Sequence, residues 1–187
     1  MLLHSIRIYD VFVSLLVIWL INLSNAAMAD AGSDEKHFHL RVGALAHSVG
    51  PLSDGDESGA DINLELMFPR NPQTHHYWGR MITGTNLNLN HETSQIYIAR
   101  AWQLGLPVSL VLEYQFGFSI HNGELDSADS DRRQLGSRLL FRNALELGWR
   151  WDSNRISVIY DHASNAGLLE ERNQGIDNIG IRLSIGL

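Results

Sequence analysis

Two positions apart in the stretch YDHASNAGL, residues 160 to 168, stand His162 and Ser164, and the next apolar segment, DNIGIRLSIGL, begins with Asp177. A serine hydroxyl is a poor nucleophile at neutral pH. A histidine that takes its proton and an acid that fixes the imidazole tautomer make it competent for acyl transfer. Ser164, His162 and Asp177 are therefore the candidate catalytic residues, with Glu170 and Glu171 in the intervening loop as alternative acids. Asn165, Gly167, Asn173 and the backbone N–H groups around Ala166 are the candidate donors for an oxyanion. No Gly-x-Ser-x-Gly elbow occurs, so a soluble hydrolase of that type has no support.

Such a constellation needs elements that aim its side chains to one side. Residues i and i+2 of a strand project from the same face. In RISVIYDHAS the even positions Ile156, Val158 and Tyr160 are apolar or aromatic, and His162 and Ser164 continue that face. In the last segment the apolar face is odd, from Ile179 to Leu187, and Asp177 continues it.

The same period-2 alternation runs through the chain without a convincing helical stripe, which predicts an all-β domain. In SLVLEYQFGFS, Leu110, Leu112, Tyr114, Phe116 and Phe118 oppose Ser109, Glu113, Gln115, Gly117 and Ser119. In SRLLFRNALELGWRW, Leu139, Phe141, Leu145, Leu147, Trp149 and Trp151 oppose Arg138, Arg142, Glu146 and Arg150, and Asn143 is the polar residue on the apolar side. Strands are also expected over 37 to 44, 61 to 68, near 77 to 86, near 94 to 103 and over 155 to 163. About eight antiparallel strands suffice to close a small barrel.

PRNP, GLP and DSN read as short turns, whereas 47 to 58, 85 to 93, 121 to 136 and 165 to 176 read as longer polar loops. Short turns at one end and long loops at the other fit an outer-membrane barrel, and Trp102, Trp149 and Trp151 beside the short turns fit its aromatic girdle. A lipocalin-like soluble barrel would carry the same alternation turned inside out, with the Trp, Phe, Tyr and Leu rows packed into one small interior. In the membrane reading, His162, Ser164 and Asp177 face lipid at the long-loop end, where polar groups are costly and ask for a function. Arg138, Arg142, Arg150, Glu113 and Glu146 then form a paired network in the lumen.

Composition agrees with export to such a site. His4 and Arg7 precede an apolar run, Val11 to Ile21, too short for a spanning helix, and Ala27-Met28-Ala29 fits a cleavage site. Residues 1–29 are read as a signal peptide and 30–187 as the barrel domain. The chain has 187 residues and no cysteine, so its stability must come from a well-formed core, an oligomer or a bilayer, and the strand pattern favours the bilayer. A net charge of -7 without a basic patch excludes nucleic acid. His37 with His39, and His75 with His76, lack a third ligand at motif spacing, so no metal or other cofactor is expected. The acidic loop residues Asp54, Asp56, Glu57, Glu124, Asp126, Asp129 and Asp131 read as solvated loops.

HASNAG followed by NQGID and a terminal strand resembles the lipid A 3-O-deacylase (PagL-like) family of outer-membrane enzymes, and GADINLELMF, residues 59 to 68, resembles that family's second strand. The resemblance implies an eight-stranded barrel in the bacterial outer membrane, Ser164 as nucleophile, His162 as base, and lipid A of lipopolysaccharide as substrate, with the 3-O-linked primary acyl chain removed. The family's acid is usually Glu, twelve residues after the serine; here Asp177 comes thirteen after. Two other readings stay open: a non-catalytic small barrel used in adhesion or as a structural element, and a phospholipid acyl hydrolase. The sequence also leaves a homodimer open.

Overall fold

Alternating side chains settle into a sheet only if each face finds its own solvent, and the chain does this by rolling the sheet into a tube. In the computed structural model the described residues are 36–52, 57–71, 78–126, 132–169 and 174–187. The segment read as a signal peptide lies outside them, as do His75, His76, Asp54, Asp56, Asp129, Asp131, Glu170, Glu171 and Asn173.

The strands are β1 His39–Ala46, β2 Ala60–Met67, β3 Arg80–Asn88, β4 Gln95–Gly105, β5 Leu110–His121, β6 Leu139–Trp151, β7 Asn154–Ser164 and β8 Ile176–Gly186. Each pairs antiparallel with the next, and β1 pairs with β8, so the sheet closes into an eight-stranded barrel with no free edge.

Which face points inward decides between the membrane and soluble readings. On β5, Glu113, Gln115 and Ser119 are buried while Phe116, Phe118 and Ile120 are exposed. The same inversion holds on β7, with Arg155, Ser157 and Asp161 inside and Ile156 and Val158 outside. A tube with a polar filling and an apolar exterior matches a bilayer and is the reverse of a soluble barrel.

The lumen is filled by compensated charge. Arg41 bonds Glu65 and Glu113, each at 2.7 Å, and Arg155 bonds Glu113 at 2.9 Å and Glu146 at 2.7 Å. Arg182 pairs with Glu65 at 3.0 Å and with Glu146. Arg142 pairs with Asp161 at 2.9 Å and lies 3.8 Å over the Tyr97 ring. Three of the expected network members, Arg142, Glu113 and Glu146, are therefore in place. Arg138 and Arg150 are not. Arg138 sits at the long-loop end, donating to the carbonyls of His121 and Gly123, and Arg150 is half-exposed beside the opposite rim. Both lie near strand ends, where inward parity no longer leads into the closed section of the tube.

The connections mostly follow the expected asymmetry. β4 and β5 are joined by 106–109, and β6 and β7 by Asp152 and Ser153, where Asp152 takes a positive φ of 48° that suits a tight hairpin. The PRNP stretch is a correction. β2 ends at Met67 and β3 begins at Arg80, so the link spans 68–79. Phe68 still donates to Met81 O at 2.9 Å, but Pro69 has no N–H for the ladder, and pairing stops there. Around the short-turn rim, Trp102 stacks on Tyr114 at 6.0 Å and Trp149 on Trp151 at 5.6 Å.

Candidate active site

β7 and β8 carry the three candidate residues on one face, and the β1–β2 loop holds the acid there. In the β7–β8 register His162 lies directly opposite Asp177, and directly opposed side chains on one face stand about 4.5–5.5 Å apart at Cβ. Ser164, the last residue of β7, is two positions further on the same strand.

The hydrogen bonds run in one line. His162 Nδ1 donates to Asp177 Oδ1 at 2.6 Å, and Ser164 Oγ donates to His162 Nε2 at 3.1 Å. A proton held on Nδ1 by the carboxylate leaves Nε2 with its lone pair toward the serine, the tautomer a general base needs. His162 is the most exposed member of the line, and Ser164 is buried. The His162 side chain is 14 % exposed, and Asp177 is fully buried.

The acid is held from several sides. Tyr160, on the same face of β7, donates its hydroxyl to Asp177 Oδ1 at 3.0 Å, and the Leu52 amide donates to Oδ2 at 2.7 Å. The Val49 amide bonds Asp177 O at 2.8 Å, so the β1–β2 loop folds over the carboxylate. Gly50 permits that approach: a Cβ there would lie 2.5 Å from both Cβ and Oδ2 of Asp177. The shorter acid thus reaches the imidazole because register and loop bring it there.

A second layer of loops fixes the first. Arg133, fully buried, donates from Nε to Ser48 Oγ at 2.6 Å and from Nη1 to Gly175 O at 2.6 Å and Gln174 O at 3.1 Å. Gly175 adopts a φ of 64°, and a Cβ there would sit 3.1 Å from His162 Cε1, so a glycine lets the turn pack against the imidazole. Behind the site Leu135, Leu140, Ala163 and Ile176 form a small apolar cluster. The Arg133 amide also donates to Glu57 Oε1 at 3.2 Å. Glu57 in turn bonds His47 Nε2 at 2.9 Å, and His47 Nδ1 reaches Asp61 at 3.0 Å. Burial disfavours a charged His47, but its bonds to Asp61 and Glu57 and their negative charge outweigh burial and push its pKa up to about 9. Burial likewise works against ionised Glu57, and the donors His47, Thr93 and Arg133 outweigh it, holding its carboxyl below the usual range.

The candidate oxyanion donors are differently placed. Asn165 is buried, its Nδ2 donating to Leu135 O at 2.9 Å and its Oδ1 accepting from Gly167 N at 2.7 Å. Both groups hold together a turn in which Ala166 and Gly167 have φ of 56° and 66°. A non-glycine residue in that region is uncommon and costs energy, and here it lies two residues after the candidate nucleophile. Asn165 and Gly167 thus build the turn that ends β7 beside Ser164.

Sequence reasoning missed Tyr160 as a partner of the acid, although its parity with His162 was there to be read. It also missed Arg133, Gly50 and Leu52, whose roles depend on loops folding across the barrel rim. Among the described residues no group of three or more His, Cys, Asp or Glu comes together as a metal site. His37 instead bonds Leu187 O at 3.2 Å, and His39 faces Ser184 Oγ at 3.4 Å.

Several solved structures share this architecture. A crystal structure of the outer membrane enzyme PagL superposes with a TM-score of 0.54 at 20% identity, covering 80% of this chain and 99% of that one. The N-terminal β-barrel domain of Pseudomonas aeruginosa OprF gives 0.52 at 9% identity, over 80% of this chain and 98% of that one. A de novo designed transmembrane β-barrel gives 0.51 at 8% identity, over 81% and 96%. At these identities the likeness is one of fold. A comparison with curated protein sequences gives no significant match. The model of the family described as Lipid A 3-O-deacylase (PagL) matches residues 58–186, from the start of β2 to the end of β8 and including His162, Ser164 and Asp177, and the chain belongs to that family.

Proposed function

We propose that this protein is an outer-membrane esterase that hydrolyses the 3-O-linked primary acyl chain of lipid A by a Ser164–His162–Asp177 mechanism. One observation carries the mechanism: the two nitrogens of His162 are divided between a buried carboxylate and a serine hydroxyl, on the outward face of the barrel.

The substrate lies in the membrane leaflet with its sugar at the level of the long loops and its acyl chains along the barrel wall. Ser164 Oγ attacks the ester carbonyl carbon while His162 Nε2 takes the hydroxyl proton, and Asp177 stabilises the imidazolium so formed. Collapse of the tetrahedral intermediate breaks the bond to the sugar oxygen, which leaves with the proton from Nε2. Water entering from the loop end then gives a proton to His162 and attacks the acyl-serine, releasing the fatty acid and restoring Ser164. Ile156, Val158 and Ile179, exposed on the same faces of β7 and β8, provide an apolar wall for the chains.

The test is incubation of refolded protein with purified lipid A and, separately, with a diacyl glycerophospholipid, with products weighed by mass spectrometry. Loss of one ester-linked chain from lipid A, absent in Ser164→Ala and strongly reduced in Asp177→Asn, is the expected result. Cleavage of the phospholipid alone would replace lipid A as substrate, and an unaffected Ser164→Ala would overturn the mechanism.

A further inference from the structure

One polar side chain on the outer wall is not used by the chemistry above. Asn143 projects from the lipid-facing side of β6, between Phe141 and Leu145, where an unpaired amide is costly. In the β6–β7 register it lies directly opposite His162 and two residues deeper than Phe141, the partner of Ser164. Asn143, His162 and Asp177 thus form a continuous row across three strands.

The amide is oriented. Tyr114, also on the outer face, donates its hydroxyl to Asn143 Oδ1 at 2.6 Å, which fixes the oxygen and leaves the NH2 group as the end with donors to offer. Among the described residues Nδ2 makes no hydrogen bond. A Tyr–Asn pair exposed to lipid with two N–H donors left over is a poor arrangement for stability alone. It is a good one for meeting an acceptor that arrives with the substrate.

Geometry limits where that acceptor sits. Two residues span about 7 Å along a strand and, at the tilt of about 40° usual for such barrels, about 5 Å of depth. A hydrogen bond of about 2.9 Å and the reach of the asparagine side chain cover much of this. The acceptor therefore belongs on the first few carbons beyond the carbonyl attacked by Ser164, on the chain being released.

We infer that Asn143 is a substrate-recognition residue whose Nδ2 donates to an oxygen substituent near the head of the scissile acyl chain, so that the enzyme selects hydroxyacyl over plain acyl esters. The inference rests on Ser164 being the nucleophile. It assigns to Asn143 no part in bond making. A site that donates to a substrate hydroxyl leaves that donor unpaired when the hydroxyl is missing, which is the source of the selectivity.

The experiment uses two lipid A substrates that differ only in whether the 3-O-linked chain carries a 3-hydroxyl, presented in the same detergent micelles to folded wild type, Asn143→Leu, Tyr114→Phe and Ser164→Ala. Asn143→Leu puts an apolar side chain on a lipid-facing position, and its folded state is checked by its thermal unfolding. Wild type is expected to favour the hydroxylated substrate in kcat/KM by about tenfold, the worth of one hydrogen bond. The ratio falls toward one in Asn143→Leu, through KM for the hydroxylated substrate, and partway in Tyr114→Phe, where the amide is no longer held. An equal preference in wild type and Asn143→Leu, or no preference in wild type, overturns the inference while leaving the esterase reading intact. Equal loss on both substrates in a folded Asn143→Leu also overturns it and moves Asn143 into the reaction itself. Turnover that survives in Ser164→Ala strikes at the esterase mechanism instead, and wild type inactive on both substrates overturns both readings.

Discussion

The barrel carries two sets of polar side chains at opposite faces of the same wall, and they are satisfied in different ways. In the lumen the buried charges are paired, several of them more than once: Glu113 touches Arg41 and Arg155 and also accepts from Gln103 and Gln115, Arg182 touches Glu65 and Glu146, and Arg142 meets Asp161. Outside, one carboxylate, one imidazole and one hydroxyl form a chain that is saturated at the buried end and finishes at Ser164. Saturation serves stability, because a buried charge that loses its partner is expensive. An unsaturated end serves reactivity, because a hydroxyl whose proton is already promised to a base has a lone pair to give.

If that contrast is right, substitutions in the two sets fail in different measurements. The largest effect is on turnover. Ser164→Ala and His162→Ala are each expected to lower deacylation about a thousandfold or more, with unfolding in micelles little changed, since both residues sit at the rim and remove no core packing. A folded variant with near-normal turnover would erase the distinction.

Next comes the mirror experiment in the lumen. Glu113→Ala leaves Arg41 and Arg155 without their shared carboxylate and is expected to cost about 3–5 kcal/mol of barrel stability. Urea unfolding in detergent reads the loss, and turnover per folded molecule should stay near wild type. A large kinetic defect in the folded fraction would mean that the network reaches the site.

Tyr160→Phe sharpens the comparison inside the outer set. Removing its bond to Asp177 is expected to reduce kcat about tenfold with KM unchanged, the loss of one charge-assisted hydrogen bond from a group that orients the base. A change in KM alone would instead make Tyr160 part of the lipid-binding wall.

The smallest effect concerns the loops between the two sets. His47 keeps its proton up to about pH 9 in the folded protein and only to about 6.5 in an unfolded chain, so the stability it adds is complete below about pH 6.5 and is lost as pH rises through 9. Glu57 acts in the opposite sense. Its contribution is complete above the ordinary carboxylate range and is lost as pH falls through its lowered folded value. Thermal unfolding at pH 6, 8 and 10 should therefore show a decline toward high pH that is diminished in His47→Gln. An equal slope in wild type and His47→Gln would detach this histidine from loop stability.

The sequence by itself determined the barrel and the direction in which the site points. Period-2 alternation places Ile156, Val158, Tyr160 and His162 on one side and Arg155, Ser157 and Asp161 on the other, and this is a property of strand geometry that needs no partner. The depth of turns was less legible: PRNP looked like a complete turn because prolines end a strand clearly, but they say nothing of where the next strand begins. What only the tertiary structure decided is which groups meet across strands and loops. Parity alone put Asp177 on the right face, and the β7–β8 register set it opposite His162. Arg133 joins Ser48 to Gly175 across more than a hundred residues of chain, and Asn165 ties the end of β7 to Leu135. Local spacing fixes the side of the sheet a residue faces. Partners distant in sequence are chosen by the closure of the barrel and the folding of loops over its rim, and these depend on the whole chain at once.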